Sequence, residues 1–152
     1  MINVYIFSYT QFCNVMKDMS WNDNSIDAVH DTAIVSICNS DDSMSHWFNS
    51  NHKNVLNLDF DDTTFDDEEL GIHSINEEQA KSIVDFFETH KDVANFVVHC
   101  EAGISRSAAV AICFVDFLHM NDVKDITLHE NYSFHPNPKV ERLIHKEFSK
   151  RN

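Results

Sequence analysis

The chain has 152 residues, with 25 Asp and Glu against 11 Lys and Arg, a formal net charge of −14 and a hydrophobic fraction of 43%. That length allows one domain around one core and leaves no room for a second, and the charge repels nucleic-acid backbones and anionic membranes at long range. No apolar run approaches the roughly 18 residues of a membrane span, and Met1–Phe12 lacks a basic start and a small-residue cleavage site, so the chain is expected in the cytoplasm with neither nucleic acid nor membrane as partner.

Ile2–Ser8 (INVYIFS) is an apolar run suited to a strand, and Tyr9–Met19 follows with apolar residues at helical spacing. Thr32–Cys38 (TAIVSIC) is rich in β-branched residues and predicts the next strand; Asp41–Asn49 predicts a short helix. Val55–Phe60 places Leu56, Leu58 and Phe60 on one face of a strand, after which the acidic stretch Asp61–Glu69 predicts a loop. Ser74–His90 opens with Ser74 and Glu77 at capping-box spacing and carries Ala80, Ile83, Val84, Phe86 and Phe87 on one side, which predicts a helix. Asn95–His99 (NFVVH) reads as a compact strand, Cys100–Ser107 as a turn and Ala108–Met120 as a nearly all-apolar helix. Val123–Tyr132 and Pro138–Lys150 read as two further helices, the second with Pro138 in its first turn. Strands alternating with helices predict an α/β fold, a single domain over residues 1–152 with a central, mostly parallel sheet flanked by helices.

Cys13, Cys38, Cys100 and Cys113 show no paired spacing and read as free thiols, with Cys38 and Cys113 in the core. Ten His raise the question of a metal, yet no Cys-x-x-Cys or His-Glu-x-x-His spacing occurs.

Cys100 and Arg106 stand with five residues between them, between a predicted strand and a predicted helix, and that spacing alone is a weak signal. Its context strengthens it, because Gly103, one of only two glycines, lies inside the turn, where a backbone wrapping an anion needs φ values that other residues resist. If Glu101, Ala102, Gly103, Ile104, Ser105 and Arg106 curl around a phosphate, their amides converge as a nest and the helix N-terminus adds its positive end. The planar fork of Arg106 matches two phosphate oxygens. The same groups surround the Cys100 sulfur and should favour its thiolate, and Ser107 can donate a hydrogen bond to it. His99 faces the other side of its strand and is expected to order the loop from behind.

The run Val97-Val98-His99-Cys100-Glu101-Ala102-Gly103-Ile104-Ser105-Arg106-Ser107 resembles the active-site signature of the protein tyrosine phosphatase superfamily, and His-Cys-x-Ala-Gly-Ile-Ser-Arg-Ser resembles its dual-specificity branch. The resemblance extends over Val55–Phe117, and Pro136-Asn137-Pro138 is similar to a segment of small prokaryotic members. It implies a hydrolase of phosphate monoesters in proteins or peptides, acting on phosphotyrosine and also on phosphoserine and phosphothreonine, without metal or cofactor. Cys100 would be the nucleophile that forms a phosphocysteine, Arg106 the phosphate clamp, Ser107 the group that eases departure of the sulfur, and phosphate or a similar oxyanion the occupant of the loop. The resemblance also implies a general-acid Asp where the Leu58–Phe60 strand ends. Asp62, on the side of Leu56, Leu58 and Phe60, is the expected acid, with Asp61 as the alternative.

Two other readings stay open: a catalytically weak phosphate-binding module, and a phosphatase of RNA 5′ ends, nucleotides or phosphoinositides. Against the latter, the variable loop positions Glu101, Ala102 and Ile104 carry no positive charge.

Overall fold

The computed structural model describes residues 1–129 and 134–152. Among the described residues the β-branched and alternating apolar runs form five strands: β1 (Ile2–Phe7), β2 (Thr32–Cys38), β3 (Val55–Asp59), β4 (Asn95–His99) and β5 (Ile126–His129). They lie in the order β3-β2-β4-β1-β5, with every neighbouring pair parallel, so the sheet is wholly rather than mostly parallel. β2 is buried along its whole length, as a parallel strand covered on both faces must be.

Among the described residues four helices cover the faces: α1 (Tyr9–Met19), α2 (Glu77–Thr89), α3 (Arg106–Met120) and α4 (Pro138–Arg151). On one face α2, α3 and α4 bring the rings of Phe87, Phe114, Phe117 and Phe148 together over Val4, Ile6, Val35 and Val98. On the other, α1 sets Phe12 and Met16 over Ile34 and Val97, joined by Phe48 and by Ile26 from a single 3-10 turn. Among the described residues no helix is long and apolar enough to cross a membrane.

Parallel strands gather their carboxyl ends at one edge. There β1 turns into α1 on one face, while its neighbour β4 turns into α3 on the other. A crevice therefore opens between the two departures, the place where open α/β sheets bind ligands.

Three predicted elements take another form. Asp41–Asn49 is one turn followed by irregular chain, because the Asp41 carboxylate accepts the Ser43 N–H at 2.9 Å and the Ser43 hydroxyl, a local alternative to helix. The helix expected from Ser74 starts at Glu77, capped by Asn76, which accepts the Gln79 N–H at 2.8 Å while the Gln79 side chain accepts the Asn76 N–H at 3.0 Å. Ser74 donates instead to Asp66.

Within the helix expected over Val123–Tyr132 the described residues form β5 instead, which adds to the open edge of β1 with Ile2 opposite Ile126; residues 130–132 of that expectation lie outside the described residues. Asp122, at φ 62°, turns the chain back directly after α3, and the unpaired main chain of β1 gives the returning segment its hydrogen bonds. α3 itself starts two residues early, at Arg106 rather than Ala108.

Candidate active site

The loop Cys100–Ser105 is held open by its carbonyls. The Cys100 carbonyl lies 3.2 Å from His99 Nδ1, Glu101 O accepts the Tyr9 N–H at 3.0 Å, Ile104 O accepts the His135 N–H at 3.0 Å and Ser105 O accepts the Asn137 N–H at 3.1 Å. With no cis peptide among the described residues, planarity turns the N–H that follows each carbonyl to the opposite side, so the amides of Glu101, Ala102, Ser105 and Arg106 face away from these tethers. None of the four, nor the Ile104 N–H, donates to a described residue. Gly103, at φ 73°, makes the bend; its own N–H points at Cys100 Sγ, 3.3 Å away.

The start of α3 is also left open. Ser105 occupies the N-cap position but its hydroxyl donates to Asp62 Oδ1 at 2.7 Å, so the first amides of the helix have no side-chain cap. A helix N-terminus in this state favours an anion.

Cys100 is 2% exposed, and Ser107 Oγ lies 3.1 Å from its sulfur. Arg106 is 3% exposed, and the only hydrogen bond its guanidinium makes to a described residue is Nη1 to the Phe60 carbonyl at 2.7 Å. Its buried Nε has no partner among the described residues. A guanidinium anchored at one nitrogen with another bare is set to receive an oxyanion, since an unmet buried donor is costly. Cys100, Arg106, Asp62 and Asn39 line a cavity of about 340 Å³ together with Glu101, Ala102, Ile104 and Ser105.

The two candidate acids part by their hydrogen bonds. Asp61 spends both oxygens on structure: Oδ1 accepts the Ser40 N–H at 2.9 Å, and Oδ2 accepts the Ser40 hydroxyl and the His73 N–H. Burial raises its pKa, but those bonds and the nearby Arg106 charge outweigh it and leave the carboxyl below the usual range. Asp62, in the cavity wall, accepts from Ser105 Oγ and from Asn137 Nδ2 at 3.0 Å, both on Oδ1. Its Oδ2 is left free of described residues.

His99 stands behind the loop, fully buried, stacked on Phe12 with centroids 4.2 Å apart and bonded through Nε2 to Ser36 Oγ at 2.7 Å. Burial pushes its pKa down to about 4, helped by the charges of His46 and Arg106, so the ring is neutral. Burial likewise raises the other two core thiols, Cys38 to about 12 and Cys113 further.

Sequence reasoning missed three residues at this site. Asn137 caps α4 through Lys139 N and Val140 N while its amide holds Asp62; the signal was an Asn between two prolines. Asn39 donates to the Glu101 carboxylate at 2.6 Å and has no sequence signal. Ser36, a hydroxyl inside an otherwise apolar strand, was visible but unread.

No protein-family model, curated protein or solved structure matches the chain.

Proposed function

We propose that the chain hydrolyses phosphate monoesters in proteins, phosphotyrosine first and phosphoserine and phosphothreonine after it, through a phosphocysteine on Cys100. The reading makes the chain a tyrosine/dual-specificity type phosphatase. What supports it is the set of unpartnered main-chain N–H groups and the bare Arg106 Nε around a single cysteine sulfur.

In this reading the phosphate's non-bridging oxygens take the loop amides and Arg106 Nε, whose grip tightens as charge spreads in the transition state. The Cys100 thiolate attacks phosphorus, the P–O ester bond breaks, and the leaving oxygen takes a proton from Asp62 Oδ2. Water then attacks the phosphocysteine, Asp62 recovers a proton from it, the S–P bond breaks and the thiolate returns, with the Ser107 hydroxyl donating to the sulfur. The scheme draws on no metal or cofactor.

Charge favours a protein substrate. From Asn39 to Gly71 the chain carries nine Asp and Glu against Lys53 alone, and Glu101 stands at the cavity mouth. Such a rim disfavours nucleotides, RNA ends and phosphoinositides, which bring further phosphates, and suits a single phosphoryl group with Lys or Arg beside it. The same charge, with no membrane-crossing helix among the described residues, supports a place in the cytoplasm.

The test is turnover, in chelator, of phosphotyrosine and phosphothreonine peptides, nucleotides and inositol phosphates at matched concentration. Highest kcat/KM on phosphotyrosine peptides is expected. Phosphate binding without turnover on any substrate would leave a binding module, and a preference for nucleotides or inositol phosphates would overturn the substrate class.

A further inference from the structure

Behind the loop, polar side chains run in single file from the surface to the Cys100 carbonyl. Asp59 Oδ1 lies 2.7 Å from His46 Nε2, His46 Nδ1 lies 2.8 Å from Ser36 Oγ, Ser36 Oγ lies 2.7 Å from His99 Nε2, and His99 Nδ1 lies 3.2 Å from Cys100 O. Asp59 is exposed and His46 partly buried, whereas Ser36 and His99 lie inside the sheet on neighbouring strands in direct register. A buried hydroxyl and imidazole are costly unless fully bonded, so each contact in this line constrains the next.

The hydrogens can be counted. Four contacts need four, and neutral Ser36, His46 and His99 bring three. His99 is neutral, so its one ring hydrogen belongs on Nδ1, where the Cys100 carbonyl is an acceptor only. Ser36 must then donate to His99 Nε2 and His46 Nδ1 must donate to Ser36, which leaves the fourth hydrogen to be held between His46 Nε2 and the Asp59 carboxyl. Cys38 Sγ, a protonated thiol, sits 3.4 Å from the same His46 Nδ1 as a weak second acceptor. Cys38 and Asp59 address different nitrogens of the His46 ring, which suits a hydrogen-bonded line rather than the shell of one ion.

We propose that Ser36 and His46, anchored by Asp59, are positioning residues of the Cys100 loop: they set the tautomer of His99 that draws the Cys100 carbonyl backward and thereby aims the Glu101 N–H into the phosphate cradle. The kinetic side of this inference rests on the phosphatase reading; the tautomer of His99 does not. No residue of the line touches the substrate cavity except through the loop it holds, so the line acts on geometry and not on the reacting atoms.

The experiment pairs inhibition by inorganic phosphate, and kcat and KM on a small aryl phosphate, with nitrogen-15 NMR of the histidine rings. The variants are Ser36→Ala, His46→Gln and His46→Asn. Asn carries its amide nitrogen where His46 Nδ1 stands and so keeps the bond to Ser36, whereas Gln reaches Asp59 and loses Ser36. Ser36→Ala and His46→Gln are expected to weaken phosphate inhibition about tenfold, lower kcat and shift the His99 hydrogen off Nδ1, while His46→Asn stays close to wild type. Unchanged phosphate inhibition in Ser36→Ala and His46→Gln, or a wild-type His99 protonated at Nε2 alone, would overturn the proposal. A wild-type chain that neither binds phosphate nor hydrolyses any ester would instead remove the phosphatase reading, with the NMR arm still deciding the line.

Discussion

At the amino ends of the strands a cleft of about 590 Å³ lies among His30, His52, Asn54 and His90, larger than the 340 Å³ cavity beside Cys100 at the carboxyl ends. In the larger cleft the side chains of His52, His90 and Asn54 are turned on neighbouring protein groups. His52 uses both ring nitrogens, on Asp23 at 2.7 Å and Asp27 at 2.9 Å; His90 Nδ1 meets the Phe86 carbonyl at 2.9 Å; Asn54 gives its amide to Ile26 O and Val29 O, leaving only its Oδ1 without a partner. In the smaller cavity a whole turn of N–H groups and a buried guanidinium nitrogen stay open. What separates the two is unmet hydrogen bonding of one sign, not volume, because a buried donor left bare costs free energy that an oxyanion in the cavity would return.

The sharpest contrast between the two ends is chemical. Cys100→Ser is expected to lower kcat by about 10³-fold or more while phosphate still binds within a few-fold of wild type, since the cradle is main chain and Arg106. His52→Gln, at the other end, is expected to leave kcat unchanged. Steady-state assays beside phosphate titration by calorimetry read both, and full activity in Cys100→Ser would remove the nucleophile.

The glycines divide along the same line. A Cβ on Gly103 would lie 2.7 Å from Ser8 N and 2.8 Å from the Phe7 carbonyl carbon, both main chain, at a φ of 73°. Gly103→Ala must therefore lose either the curl of the loop or its seat on the junction of β1 and α1, and a stability loss of about 2–4 kcal/mol with failure to bind phosphate is expected. Gly71, at φ 67° with open space around it, has only the backbone cost, and Gly71→Ala should lose about 1 kcal/mol. Urea melts give both numbers.

Within the site, Asp61 and Asp62 repeat the distinction between satisfied and open groups. Asp62→Asn is expected to lower kcat about 10²-fold at nearly constant KM, because Asn can still accept from Ser105 but carries no proton to give. Asp61→Asn should leave the chemistry in place and loosen the loops that Ser40 and His73 hold. A larger kcat loss at Asp61 than at Asp62 would exchange their roles.

How far these features could be read from the residues depended on how local their causes are. The apolar runs of β1, β2, β3 and β4 and the repeats of α1 and α2 state their own periodicity, and Cys100, Gly103 and Arg106 lie within one turn of chain. β5 failed that reading because Ile126 and Leu128 are a half-buried pair whose strand form is decided by the free edge of β1, more than a hundred residues away. Asn39 and His46 were illegible as site residues for a similar reason, and Asn137 and Ser36, though visible, had no stated role: each acts on a group from another element, and only folding brings Asn39 to Glu101, Asn137 to Asp62 or His46 to Ser36.

The smallest expected effect concerns two histidines that titrate in opposite senses. His99 is held neutral near 4, so folding is opposed by its protonation, and stability falls as pH drops from its ordinary 6.5 toward 4. His52 is raised above 6.5, first by its hydrogen bond to Asp23 and, against some burial, by Asp27. A raised folded value means the native chain holds that proton more tightly, so its contribution is complete below 6.5 and is lost as pH climbs through the raised value. Asp23, lowered first by the same bond, contributes above its ordinary 3.8 and loses that as pH falls through its depressed value. The His52–Asp23 pair is thus at full strength between 3.8 and 6.5. His52→Gln should lower Tm by a few degrees at about pH 5 and by less at about pH 9, with kcat tracking wild type at both. A Tm deficit that grows toward pH 9 would reverse the sign of this linkage, and a kcat that follows His52 would mean that the amino end of the sheet, closed upon itself as it is, still reaches the loop at the other end.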